Sequence, residues 1–122
     1  ARAEQLALAL GAAGWGELDA LEDTPHDVLV NTTSVGLRSD NSPVPARMLR
    51  PDSVVMDAVY DPEHTRLLQD ATARGARIIE GKWMLVHQAA EQVRLWTGKQ
   101  APVEAMARAF DAAGSSEVKH SL

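Results

Sequence analysis

The chain contains no cysteine, which excludes disulfides, thiol nucleophiles and cysteine-ligated zinc together. Basic charge is scarce: 12 Lys and Arg stand against 17 Asp and Glu, a net charge of −5. The basic residues are scattered, so there is no electrostatic footprint for nucleic acid or an anionic membrane surface. No apolar run approaches the roughly 20 residues that a membrane-spanning helix needs, and neither end has the pattern of a secretory signal. His26, His64, His87 and His120 are dispersed, with no His-x3-His pair and no supported Ser–His–Asp set. The glycine-rich fingerprint G-x-G-x-x-G is missing as well. Nucleic-acid, membrane and metal functions are therefore not expected. What is there is 122 residues, 45% apolar and 24% charged, the composition of one cytoplasmic globular domain with a real core.

Ala3, Leu6, Ala7 and Leu10 recur at helical spacing, and Gly11 and Gly14 supply a stop. With no initiator Met and no preceding cap or strand, residue 1 reads as a cut point in a longer polypeptide. A short strand is expected around Gly16 to Leu18. Val28-Leu29-Val30, Val54-Val55-Met56 and Ile78-Ile79 are short apolar runs without alternation, as in strands buried on both faces of a parallel sheet. Between and after them lie helical patterns. Asp61 can cap a helix with Pro62 at its first position, running to Gly75 with Leu67, Leu68 and Ala71 inward. Leu85, Ala89, Val93 and Trp96 mark one face of a helix ending at Gly98. A last helix is expected to start at Pro102, bury Val103, Met106 and Phe110, and stop near Gly114, leaving 115–122 as a tail. The alternation predicts an α/β fold with right-handed crossovers.

Three segments can carry chemistry. Asn31-Thr32-Thr33-Ser34-Val35-Gly36 follows the first strand directly, where parallel sheets bind ligands. The same residues are also ordinary choices for a strand-to-loop turn. Asp57-Ala58-Val59-Tyr60-Asp61-Pro62 follows the second strand. There Tyr60 offers a phenolic donor or a packed ring, and Asp57 suits bracing a loop better than acid–base work. Gly81 to Gln88 opens a helix after the third strand; Met84 and Gln88 stand one turn apart on one face. A Gln beside an apolar stripe needs a partner, either a structural carbonyl or a substrate hydroxyl. His87 points off that face, as a surface histidine would.

In this order and spacing the three segments resemble shikimate dehydrogenase. Asn31 to Gly36 match the family's N-[AT]-T-x-x-G loop, and Asp57, Tyr60, Pro62 and Thr65 its D-x-x-Y-x-P-x-x-T. Gly81, Met84, Leu85 and Gln88 match its G-x-x-M-[LF]-x-x-Q helix, followed by Trp96-Thr97-Gly98. The N-T-T-S-V-G-L and D-A-V-Y wording is most similar to the form fused with 3-dehydroquinate dehydratase. The resemblance implies residues 1–114 to be the C-terminal half of a Rossmann-like parallel sheet flanked by helices, with C-terminal helices. It implies NADP as cofactor and 3-dehydroshikimate and shikimate as substrates, in aromatic amino-acid biosynthesis. Thr33 and Ser34 would line the nicotinamide end of the cleft. Ala58 and Gly81 would contact the nicotinamide and Met84 would pack on its ring. Tyr60 and Gln88 would reach the substrate.

The resemblance also implies what this chain does not carry. The family's Lys–Asp catalytic pair lies on an N-terminal domain that nothing here matches, so no catalytic residue is assigned. The Gly-rich turn and the N-R-T arginine that reads the 2′-phosphate would precede Ala1, and Arg2 is no substitute. The isolated chain is accordingly expected to be inactive, to expose the face of its first strand that would pair with the missing central strand, and to lack much of the apolar cover that a parallel sheet requires. Two alternatives stay open: a non-catalytic module binding a partner chain or a small polar ligand, and a quinate or aminoshikimate dehydrogenase relative.

Overall fold

A computed structural model describes the backbone of residues 2–120, with side chains through Gly114. Helix α1 (Arg2–Leu10) is followed by a 3-10 turn at Leu18–Asp23. Next come strand β1 (Val28–Asn31), a second 3-10 turn (Ala46–Met48) and strand β2 (Val54–Asp57). Helix α2 (Arg66–Ala73), strand β3 (Arg77–Ile79) and helices α3 (Gly81–Thr97) and α4 (Val103–His120) complete the chain. The three strands form one sheet in the order β1-β2-β3, parallel throughout, with Leu29 opposite Val55 and Val55 opposite Ile78. The α/β class expected from the sequence is the one observed, and β1 lies at an edge.

Side chains alternate across a strand, so Leu29, Val55 and Ile78 share one face. That face carries the core: Val55 packs with Leu67, Leu68 and Ala71 of α2 and with Val44, Met48 and Leu49 from the β1–β2 connection. Val30, Met56 and Ile79, also in register, share the other face. Here the sequence expectation of burial on both faces is corrected. Val28 is 57% exposed, Val30 46% and Ile79 41%, because the described elements cover one side of the sheet only.

Helix α2 starts later than expected. Its cap is Thr65, whose Oγ1 accepts from Leu68 N–H at 3.4 Å, and not Asp61. The segment before it, with a cis Asp61–Pro62 peptide, runs as a loop. Leu67, Leu68 and Ala71 do point inward. The strand expected at Gly16 to Leu18 is absent, and Leu18 begins a 3-10 turn instead. Helix α3 ends at Gly98 in the left-handed conformation, φ 70°, as the glycine there suggests. Its buried residues are Gly81 and Val86, whereas Trp96 is 79% exposed and lies outside any core. Helix α4 packs on α3 and continues past Gly114 to His120. Of the expected tail, residues 121 and 122 lie outside the described residues.

Candidate functional site

A parallel sheet brings all its strand carboxyl ends to one edge, and in this chain that edge is tied together by buried polar groups. Asn31 ends β1 and Asp57 ends β2, directly opposite in register. Asn31 Nδ2 donates to Asp57 Oδ1 at 2.9 Å and to the Val35 carbonyl at 3.1 Å. Asp57 Oδ1 also accepts the Val59 N–H at 3.0 Å, and Oδ2 accepts the Thr65 hydroxyl at 2.6 Å. Asp57 and Thr65 are fully buried and Asn31 nearly so. One carboxylate thus fixes the β1 loop, its own loop and the start of α2. Such charge-assisted hydrogen bonds are about twice as strong as neutral ones.

The loop after β1 folds around Asn31. Thr33 donates to Asn31 Oδ1 from both its N–H, at 3.0 Å, and its hydroxyl, at 2.7 Å. Thr33 Oγ1 in turn accepts the Val35 N–H at 3.2 Å. Gly36 turns the chain at φ 101°, and a Cβ there would stand 3.3 Å from the Asn41 carbonyl. Ser34 and Thr33 remain exposed at the loop surface. Arg38 joins this loop to the next, its N–H donating to the Asp61 carbonyl at 2.9 Å and its Nε to Asp61 Oδ2 at 2.8 Å.

Gly81 opens α3 against the end of β2. A Cβ at Gly81 would lie 2.5 Å from the Val59 carbonyl oxygen, 2.7 Å from that of Asp57 and 2.8 Å from that of Ala58. Only glycine allows this approach, which places Gly81 beside Ala58. Met84, 41% exposed, and Gln88, also exposed, follow on α3. Because Gln88 is exposed, burial imposes no partner on it, contrary to the sequence argument. His87 is exposed and lies 6.1 Å from the Trp83 ring. Tyr60 packs edge-on against Phe110 of α4, with ring centroids 5.9 Å apart at 77°.

Two cavities flank this edge. The first, about 550 Å³, runs from Trp15 and Leu21 to Asn31, Thr33 and Val35. Its lining is largely apolar and holds no Lys or Arg. The second, about 510 Å³, is bordered by Arg38, Tyr60, Glu63, Phe110 and Asp111. The site residues read from the sequence are therefore divided. Thr33 lines the first cavity and Tyr60 the second, while Ser34, Ala58, Gly81, Met84 and Gln88 line neither.

Sequence reasoning passed over Asn31, Thr65 and Lys82 as individual sites. Asn31 and Thr65 stood within the motifs, and only their burial marks them as the partners of Asp57. Lys82 had no signal, since its two nearest carboxylates, Glu63 and Asp111, come from distant segments. Glu63 Oε1 lies 2.5 Å from its Nζ, Asp111 Oδ1 3.1 Å and Glu80 Oε2 4.0 Å. The hydrogen bonds to Glu63 and then Asp111 hold this ammonium charged above its ordinary range. Among the described residues no group of three or more His, Asp or Glu is placed to hold a metal ion, and no helix is long and apolar enough to cross a membrane.

A parallel α/β unit with polar groups gathered at its strand carboxyl ends is of the class that binds ligands at that edge. The kinship is narrower than the class: the chain is homologous to shikimate dehydrogenases. The family described as Shikimate 5'-dehydrogenase C-terminal domain matches residues 81–109. A shikimate dehydrogenase (NADP(+)) of Pyrococcus abyssi is 54% identical over 95 residues, which are 76% of this chain and 36% of that protein. The crystal structure of the Thermus thermophilus shikimate 5-dehydrogenase in complex with NADP(H) and shikimate superimposes with a TM-score of 0.84. It is 35% identical and covers 92% of this chain and 42% of its own. Quinate dehydrogenase from Corynebacterium glutamicum in complex with NAD follows at a TM-score of 0.76 and 32% identity, over 90% of this chain and 41% of that one. This chain thus spans well under half the length of these relatives.

Proposed function

We propose that this chain forms the nicotinamide side of an NADP-dependent shikimate dehydrogenase, which interconverts 3-dehydroshikimate and shikimate. The observation that carries the reading is the shared edge. The three motifs end β1, end β2 and open α3 at one end of a parallel sheet. The Thermus enzyme, crystallised with NADP(H) and shikimate, has the same fold over this stretch. Thr33, Ser34, Ala58, Gly81 and Met84 are the cofactor-side residues, and Tyr60 and Gln88 the substrate-side residues.

The residues present suit one end of the cofactor and not the other. Gly81 seats the start of α3 against the end of β2 beside Ala58, and Met84 supplies exposed, polarizable apolar surface one turn on, on which a flat ring can lie. The dinucleotide's phosphates call for a Gly-rich turn at a helix N-terminus, and the chain has no G-x-G-x-x-G. A bound nicotinamide supplies hydride transfer. The chain's own part is to seat the ring and, through the exposed Tyr60 and Gln88 side chains, to orient a hydroxylated carboxylate. The relatives described above are dehydrogenases, which supports that reaction and not a fused dehydratase.

The experiment is a chimera in which this chain replaces the matching stretch of the Pyrococcus abyssi enzyme. NADP+ reduction dependent on shikimate is expected. Gln88→Ala in that chimera should cost about 1–3 kcal/mol in kcat/KM for shikimate, with the KM for NADP+ nearly unchanged. The likeness to a quinate dehydrogenase crystallised with NAD supports quinate with NAD+ as the second pair to assay. A folded chimera that turns over neither substrate would overturn the reading.

A further inference from the structure

Lys82 is the most enclosed of the cations in the ion pairs described. Its side chain is 12% exposed, whereas those of Arg38, Arg47, Arg50, Arg66 and Arg94 are 45% to 78% exposed. Its carboxylates come from three separate places: Glu63 from the loop before α2, Glu80 from the residue before α3, and Asp111 from α4. The ammonium also lies 5.4 Å from the Trp83 ring centroid. Glu63 stands three residues after Tyr60, and Asp111 directly follows Phe110, whose ring meets Tyr60 edge-on. The loop and α4 are therefore joined both by the ion bridge and by the ring pair, and each joint borders the 510 Å³ cavity.

We propose that Lys82 is a positioning residue for the substrate side of the site: its bridge from Glu63 to Asp111 holds α4 against the loop and so fixes the Tyr60 ring. The inference rests on the reading that Tyr60 faces substrate. Without the ammonium, Glu63, Glu80 and Asp111, whose side chains are 34%, 18% and 51% exposed, lose the cation that lies between them, and like charges at that spacing repel. Relief comes by separating α4 from the loop, which withdraws Phe110 from Tyr60. Gly81 stays where it is, since its position is set by backbone packing against the end of β2. Lys82 thus governs the substrate side and leaves the nicotinamide side alone.

The chain carries one tyrosine and one phenylalanine, so a nuclear Overhauser effect between ring-labelled Tyr and Phe in the full chain has a single assignment. It should be present in the native chain and in Lys82→Arg, and lost in Lys82→Met. An effect of unchanged intensity in Lys82→Met overturns the proposal. Where Lys82→Met does not fold, Glu63→Gln, which removes one arm of the bridge, carries the same expectation. In the Pyrococcus chimera, Lys82→Met should raise the KM for shikimate about tenfold while the KM for NADP+ stays within about twofold, and Lys82→Arg should restore most of the loss. A bridge that only stabilises would lower the melting temperature and leave the KM for shikimate where it was, which also overturns the proposal. If the functional reading is at fault instead, the chimera with native Lys82 fails to turn over shikimate while the ring contact still responds to Lys82→Met.

Discussion

Asp57 holds Asn31 across the ends of two neighbouring strands, the amide donating to the carboxylate at 2.9 Å with both groups buried. Asp57→Asn can keep the two donors on Oδ1, from Asn31 and Val59, but its new amide faces the Thr65 hydroxyl. That hydroxyl proton then has lost its acceptor in a buried place. One unsatisfied donor and the loss of charge assistance should cost about 1–3 kcal/mol. Urea unfolding would show the loss as a lower midpoint at unchanged slope; a change below about 0.5 kcal/mol would show that Asp57 does not hold the loops together.

At Gly81 two effects oppose each other. Alanine is the better helix former by about 1 kcal/mol, but its Cβ would stand 2.5 to 2.8 Å from three backbone carbonyl oxygens. Backbone has no far end that can swing away, and overpacking costs about 1–3 kcal/mol. Gly81→Ala should therefore lower the melting temperature, and a gain in stability would mean that α3 does not abut the end of β2.

Much of the fold was legible because short apolar runs and glycine stops are local signals. All three strands and the ends of α1 and α3 follow from Val28 to Val30, Val54 to Met56, Ile78-Ile79, Gly11 and Gly98. The start of α2 was not legible, because Asp61-Pro62 reads locally as a helix opening. Burial of Thr65 against Asp57 puts the cap at Thr65 instead. Trp96 suits an apolar stripe by spacing alone, yet exposure depends on what lies opposite, and no periodicity reports that. The candidate site was legible as motifs at strand ends. The Lys82 bridge was not, since Glu63 and Asp111 are distant in sequence.

Cofactor affinity should reflect the missing phosphate grip. The chain alone is expected to bind NADPH at roughly millimolar dissociation constant, about −4 kcal/mol. Titration calorimetry giving a micromolar value would place a phosphate site on this chain that its sequence does not suggest.

Lys82 should resist acylation. Only the neutral amine reacts, and the hydrogen bonds that the ammonium donates to Glu63 and Asp111 raise its pKa. A raised pKa keeps the bridge charged, and its stabilisation intact, below the ordinary lysine value; the contribution fades only as pH climbs through the higher folded value. Between about pH 7 and 9, Lys99, which is exposed, should label about tenfold faster than Lys82 when peptides are read by mass spectrometry. Equal rates would mean that the ammonium is not held.

The two faces of the sheet should respond differently to the same change. Val55 is fully buried and packs against Leu67 and Leu68, while Val30, on the neighbouring strand, is 46% exposed on the open face. Removing two methyl groups from a filled core forfeits their transfer energy and leaves a cavity. Val55→Ala should therefore cost about 1.5–3 kcal/mol. At Val30 about half the area is already in water, so Val30→Ala should cost less than about 1 kcal/mol. In the Pyrococcus chimera the surrounding protein gains the chance to cover that face. If it does, the Val30→Ala cost should rise toward the Val55 value, and the comparison of the two backgrounds by urea unfolding reads this directly. A Val30→Ala cost as large as that of Val55→Ala in the isolated chain would contradict the open face described for β1.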